Sequence, residues 1–139
     1  MANSVKAAST AKAKAPSGKP VDSRLVDRLR SIVGADGVLS NHSELLVYEC
    51  DGFVIEKNCP DAVVFPRTTE QVAEIVRACR DAGVPFLPRG AGTSLAGGCL
   101  PVGGGVMIVL TRMREIVEIN LRDRYAIVQA GVVNVWLTN

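Results

Sequence analysis

The chain has 139 residues, of which 47% are hydrophobic, so its length and composition suit a single globular domain with a buried core. The formal net charge is +2, but residues 1–20 hold four lysines and no acid, which leaves 12 basic and 14 acidic residues, a net charge of −2, in the remainder. A mildly acidic domain argues against nucleic-acid binding, and four cysteines without metal-ligand spacing argue against a structural zinc site.

The N-terminal part of the chain divides into a tail and a connecting region. Residues 1–20 are rich in Ala, Lys, Ser and Pro. We expect a disordered tail, because this composition buries too little apolar surface to offset the entropy of ordering; a transit peptide is the alternative. Residues 21–60 are expected to form a helix near 23–33, capped by Asp22 or Ser23, and then a segment without a clear pattern.

A regular pattern begins at residue 61. Residues 62–65 form an apolar run that predicts a strand. The helix after it has Thr68 as its N-cap, Gln71 in the capping-box position and Gly83 as its end signal. The apolar residues of this helix recur at helical spacing, which predicts that one of its faces packs against a sheet.

Two further strands follow this helix, separated by a glycine-rich loop. One begins at Phe86, and the other is the apolar run 106–110, which is typical of a strand buried on both faces. Strand–helix–strand order predicts parallel pairing, so the expected fold class is α/β (α+β), a βαβ core with additional strands. Residues 116–120 and 126–130 are expected to form a hairpin, and residues 133–137 are a candidate for the start of another helix.

The glycine-rich loop, which begins at Pro88 and reads PRGAGTSLAGGCLP, carries the chemistry. Glycines let backbone amides approach an anion, hydroxyls add donors and Arg89 adds a permanent charge, so the composition favours a phosphate or pyrophosphate. A Rossmann fingerprint fails because Leu95 stands at its third glycine, and a Walker loop fails because Gly98 and Cys99 replace its Lys and Ser/Thr. The alternative interpretation is a glycine-rich connection without a ligand.

Several motifs together are more specific than the loop alone. The run PRTTEQVAEIVRACRDAGVPFLPRGAGTSLAGG, the upstream YECDG, and the downstream GGV and QAGV are similar to FAD-linked oxidases of the p-cresol methylhydroxylase and vanillyl-alcohol oxidase type. Within that family the chain most resembles glycolate oxidase flavoprotein subunits and D-lactate dehydrogenases. The resemblance covers roughly residues 23–139. It implies that residues 61–139 are the N-terminal part of an FAD-binding domain, in its first subdomain, and that the chain is an incomplete, C-terminally truncated N-terminal fragment.

The resemblance also implies a cofactor and the residues that hold it. In this family FAD lies between two small α/β subdomains, and the first contributes the glycine-rich loop to the pyrophosphate. The implied cofactor-binding residues are Pro88, Arg89, Gly90, Ala91, Gly92, Thr93 and Ser94, with Gly97 and Gly98 shaping the exit of the loop. Some relatives bond a histidine of this loop covalently to the flavin; Thr93 stands at that position, which implies non-covalent FAD. The family's catalytic residues follow the matched part, so none is implied within this chain.

The activity that the resemblance implies is oxidation of a small 2-hydroxy acid, glycolate or D-lactate, by hydride transfer to FAD. Electrons would pass to an iron–sulfur or other electron-transfer partner subunit. The alternatives are a non-catalytic FAD- or nucleotide-binding fragment and a phosphate-binding module unrelated to flavin. We expect this chain alone to bind FAD weakly without turnover, and Gly92→Arg to abolish FAD binding without unfolding the domain.

No apolar run in the sequence is long enough for a signal peptide or an integral membrane segment. The expected location is therefore the cytoplasm, where the cysteines would be reduced thiols. Peripheral membrane association through a partner is the alternative.

Overall fold

The computed structural model describes residues 18–52 and 54–138. The predicted disordered tail falls almost wholly on residues 1–17, which lie outside the described residues. Its last three residues are described, and there the Lys19 amide donates to the Gly83 carbonyl oxygen at 3.3 Å.

The described part of the chain contains four α-helices, three short 3-10 helices and six strands. The α-helices are α1 Ser23–Val33, α2 His42–Leu45, α3 Thr69–Ala82 and α4 Val135–Thr138. The strands are β1 Val38–Leu39, β2 Ala62–Val64, β3 Phe86–Arg89, β4 Val106–Val109, β5 Ile116–Asn120 and β6 Tyr125–Val128. The two long helices and the three strands around α3 therefore lie where the sequence pattern predicts them.

Four of these strands form one sheet in the order β1-β2-β4-β3. Strands β2 and β3 each pair in parallel with β4, and Met107 lies opposite both Val63 and Leu87. The predicted parallel βαβ core is thereby confirmed. Strand β1 adds an antiparallel edge to β2, which no pattern in residues 38–59 indicates. All four residues of the central strand β4 are buried, as its apolar sequence predicts.

Apolar side chains cover both faces of this sheet. On one face, Leu29 of α1 and Ile75 of α3 pack in one cluster with Val106. On the opposite face, Val63 and Met107 pack against α2 and the turn that follows it. Residues on both sides of the predicted division at residue 60 therefore pack together in each of the two clusters.

The helix ends use the residues that the sequence indicates. The Asp22 carboxylate accepts from the Leu25 amide at 2.8 Å and is the N-cap of α1. The Thr68 hydroxyl accepts from the Gln71 amide at 3.3 Å and caps α3. At the other end of α3, Gly83 has φ +69°, a left-handed conformation that ends the helix without a Cβ penalty.

Strands β5 and β6 form a separate antiparallel hairpin. The hairpin is confirmed, although its second strand begins at Tyr125 and ends at Val128 rather than at the predicted residues 126–130. Its side chains pack little against the sheet, since Val117 is 59% exposed, Ile119 55% and Ile127 49%. The hairpin therefore carries apolar surface that the described residues leave uncovered.

Candidate functional site

The glycine-rich loop begins where the parallel strands end. Strand β3 ends at Arg89, which lies opposite Val109 at the end of the central strand β4. Residues 90–105, all of them described, form bends and turns without a helix or strand, as the glycines at positions 97 and 98 predict. In open α/β sheets, ligands bind in the crevice at the carboxyl ends of the strands. The start of the loop occupies that position.

The loop backbone is open to an approaching group. A Cβ added at Gly90 or Gly98 would meet no described atom within 4 Å. Gly92 and Gly97 have φ values of +74° and +67°, which side chains with a Cβ rarely adopt. Ala91, Thr93 and Ser94 are exposed, so hydroxyl groups and backbone share one accessible surface. Pro88, the first residue of the glycine-rich run, pairs opposite Ile108 in the sheet and is also exposed.

Arg89 lies beneath the loop rather than on its open surface. Its side chain is only 8% exposed. The guanidinium donates to the Cys50 carbonyl oxygen at 3.0 Å and to Cys99 Sγ at 3.5 Å, and it stacks on the Tyr48 ring at 5.7 Å from the centroid. Arg89 therefore holds the start of the loop through contacts inside the fold, and its charge does not reach the open surface.

The expectation for Gly92→Arg is wrong in one respect. A Cβ at Gly92 would collide with the guanidinium of Arg89, and the positive φ adds strain. The substitution would displace Arg89 instead of simply filling an open cradle, so it cannot test binding separately from folding. Gly90, where the surrounding space is open, is the position for that test.

The family resemblance offers Asp51 as a possible contact of cofactor or substrate, although a plain turn is the interpretation that the sequence favours. Its carboxylate is 5% exposed, and its Oδ2 accepts from the Gly97 amide at 3.0 Å. The thiol of Cys99 lies 3.8 Å from the same oxygen. The pair Asp51-Gly52 is a turn signal in the sequence. Only the family resemblance of the motif YECDG, which contains this pair, indicates a role at the cofactor site.

A cavity of about 300 Å³ adjoins the loop at Ala91. Its other lining residues are Thr111, Arg114, Ala130, Gly131, Val132, Val133 and Trp136. Gly131 is required there, because a Cβ would lie 2.7 Å from the Met113 carbonyl oxygen and still closer to that of Leu110. The structure thus brings the loop together with the QAGV segment, the two motifs that carry much of the resemblance.

Among the residues that the structure describes, the other reactive side chains are not gathered into a second centre. His42 lies exposed in α2, and Cys79 is buried in the core. Tyr48 packs edge-to-face on Phe65 with ring centroids 6.0 Å apart. Across the described ranges, no group of three or more His, Cys, Asp or Glu side chains is arranged to hold a metal ion.

Comparison with protein families identifies the domain. The family model for the FAD binding domain matches residues 60–138. The chain belongs to the FAD binding domain family. This FAD binding domain is 43% identical over 106 residues to the glycolate oxidase subunit GlcD of Escherichia coli strain K12, covering 76% of this chain and 21% of the relative.

Two more relatives support the same conclusion. The FAD binding domain is 34% identical over 109 residues to the probable mitochondrial D-lactate dehydrogenase of Danio rerio, covering 78% of this chain and 22% of the relative. It superposes on p-cresol methylhydroxylase with bound substrate at a TM-score of 0.77 and 28% identity, covering 88% of this chain and 25% of that one. The fold and the resemblance are thereby confirmed, and the chain spans about a fifth of the length of its curated relatives.

Within the residues that the structure describes, no helix of this FAD binding domain is both long and apolar enough to cross a membrane.

Proposed function

We propose that this FAD binding domain holds the FAD pyrophosphate on the loop of residues 88–98, as part of an oxidoreductase that acts on a small 2-hydroxy acid. The observation that carries the proposal is the open backbone at Gly90 and Gly98, with Gly90 directly after the carboxyl end of β3. No acidic residue stands within the loop to repel a phosphate. The residues present therefore fit a diphosphate.

Nine residues of the loop have a part in this proposal. Backbone amides at Gly90, Ala91 and Gly92 donate to the phosphates, and the exposed hydroxyls of Thr93 and Ser94 add donors. Gly97 and Gly98 shape the exit of the loop, and Pro88 and Arg89 form its base. When bound, FAD supplies the chemistry that accepts electrons. Because Thr93 replaces the histidine that some relatives join to the flavin, the cofactor is held non-covalently.

The substrate and partner follow from the relatives. The Escherichia coli relative is named a glycolate oxidase subunit, and the Danio rerio relative a D-lactate dehydrogenase. We therefore propose glycolate or D-lactate as substrate. Because the Escherichia coli relative is named as a subunit, we propose that a further polypeptide takes part, and that it is an iron–sulfur or other electron-transfer partner. The cytoplasmic location, the peripheral association through that partner and the chain divisions at residues 20 and 60 stay predictions.

Flavin fluorescence tests the loop directly. Gly90→Glu adds a side chain where the fold leaves open space, and its charge repels phosphate. We expect the Kd for FAD to rise about tenfold or more. Val102→Glu, at a 71% exposed position outside the proposed contacts, is the matched control and should bind FAD like the parent chain. Equal affinity in both variants would remove residues 88–98 from the site.

Three further measurements separate the alternatives. Acid precipitation of the complex should leave the flavin in solution, whereas coprecipitation would mean a covalent link.

ADP and FAD should differ in affinity for the domain. Equal affinities would favour a phosphate-binding module unrelated to flavin. Glycolate or D-lactate should bleach the flavin absorbance of the complete enzyme. FAD binding without bleaching by either acid would favour the non-catalytic alternative.

A further inference from the structure

Residues 50–52, which we call the loop brace, contact the glycine-rich loop at both of its ends. At the start of the loop, the Cys50 carbonyl oxygen accepts from Arg89 Nη2 at 3.0 Å. At its exit, Asp51 Oδ2 accepts from the Gly97 amide at 3.0 Å. The brace and the loop are far apart in sequence, so these contacts exist only in the folded domain.

The centre of the loop also lies against the brace. A Cβ at Gly52 would be 2.9 Å from the Ser94 carbonyl oxygen and 3.1 Å from that of Thr93. Both neighbours are backbone atoms, so glycine is needed for this close approach. Carbonyl oxygens repel phosphate. Because these two lie beside Gly52, the brace keeps them on its own side of the loop.

The carboxylate of Asp51 is buried close to the loop that is proposed to bind a pyrophosphate. A negative charge there would oppose phosphate binding unless the carboxylate has a structural role. A hydrogen bond from a backbone amide to a carboxylate is stronger than one between neutral groups. Arg89 Nη1 and Asp51 Oδ2 both contact Cys99 Sγ, at 3.5 Å and 3.8 Å. The two charged groups therefore share the Cys99 thiol as a neighbour.

We propose that the loop brace presets the conformation of residues 89–98 before FAD binds, and that Asp51 is a positioning residue that acts through Gly97. A loop that is already ordered loses less conformational entropy when its ligand binds, which raises affinity. The proposal rests on the proposed function for the identity of the ligand. The contacts themselves all join residues of this chain.

The test uses the full chain with Asp51→Ala, Asp51→Asn and a matched control, Asp61→Ala. Asp61 Oδ2 accepts from the Gly105 amide at 2.8 Å, at the amino ends of the parallel strands, so the control removes the same kind of bond outside residues 88–98. Two quantities are measured: hydrogen exchange of residues 92–97 without FAD, and the Kd for FAD.

Asp51→Ala should speed amide exchange in the loop about tenfold and raise the Kd for FAD about tenfold, because the partly buried Gly97 amide loses its acceptor. Asp51→Asn keeps an acceptor oxygen and should remain within about threefold of the parent chain. Asp61→Ala should leave both quantities unchanged. If Asp51→Ala does not fold, Gly52→Ala carries the same expectations, since its Cβ displaces the centre of the loop.

The two readouts keep this proposal separate from the proposed function. Faster exchange in a chain that fails to bind FAD would support the brace and overturn the FAD site. Normal FAD binding with unchanged exchange and Kd in Asp51→Ala would support the FAD site and overturn the brace. Equal effects in Asp61→Ala would also overturn it, because the loss would then be general destabilisation.

Discussion

At the scale of single residues, burial decides what each reactive side chain can do. Arg89 carries a charge that the sequence suggests for phosphate, but its guanidinium is enclosed by Cys50, Cys99 and Tyr48. Its contribution to an anion therefore comes through the loop it supports and through its buried charge. The four thiols likewise differ by environment: Cys79 is buried, whereas the other three are partly exposed.

Cys79 is expected to resist alkylation. Burial raises the pKa of its thiol from an ordinary 9.0 to about 11, so the thiol stays protonated and shielded at neutral pH. Mass spectrometry after brief iodoacetamide treatment should find Cys99 labelled well before Cys79. The protonated thiol stabilises the fold fully below pH 9, and this contribution is lost as the pH rises towards 11.

Unfolding the chain in urea is the control, because all four thiols should then react alike. Labelling of Cys79 at the rate of Cys99 in the folded chain would contradict its burial.

At the scale of elements, α3 connects strands β2 and β3 and packs with α1 against one face of the sheet. Its N-cap Thr68 and its end residue Gly83 set where the chain leaves β2 and where it returns to β3. The Gln71 side chain donates to the Ile32 carbonyl oxygen at 3.0 Å, which joins the start of α3 to the end of α1. The starting point of the glycine-rich loop therefore depends on a correctly ended α3.

Thr68→Ala should lower the free energy of unfolding by about 1 kcal/mol, because the Gln71 amide loses its capping hydroxyl. Urea denaturation followed by circular dichroism measures the change. Thr69→Ala is the matched control, since Thr69 is exposed at the first helical position and should change stability less. An equal loss in both variants would mean that the cap contributes nothing specific.

At the scale of the whole molecule, the sheet and the hairpin differ in how well they are covered. The sheet has apolar clusters on both faces. The hairpin exposes Ile119, Ile127 and Leu121, the last at 86%. A two-stranded hairpin with uncovered apolar side chains and unpaired outer edges is a surface prone to association.

The 139-residue chain should therefore self-associate with increasing concentration. The double variant Ile119→Lys and Ile127→Lys should shift this equilibrium towards the monomer, because charges on the strands oppose contact between hairpins. Sedimentation velocity over a concentration series measures the shift. Val102→Lys, an exposed apolar site outside the hairpin, is the control. A monomer at every concentration in the parent chain would contradict this prediction.

Much of the fold could be predicted from the sequence because its signals are local. Thr68, Gln71 and Gly83 lie within one helix and its caps, and the strand at residues 106–110 is marked by its own apolar run. The glycines after β3 likewise predict a phosphate loop from neighbouring residues. What the pattern misses is β1, whose two residues are recognisable as a strand only through their pairing with Val63 and Val64.

The sequence by itself thus determined the βαβ core, the helix ends, the family resemblance and the choice of loop. The tertiary structure alone decided that Arg89 faces inward, that Gly92 has no room for a side chain and that Asp51 holds Gly97. The physical reason is distance along the chain. Caps and periodicity act within a few residues, whereas the bonds of Arg89 to Cys50 and of Gly97 to Asp51 join positions 39 and 46 residues apart. Such bonds form only when the packed sheet brings these segments together.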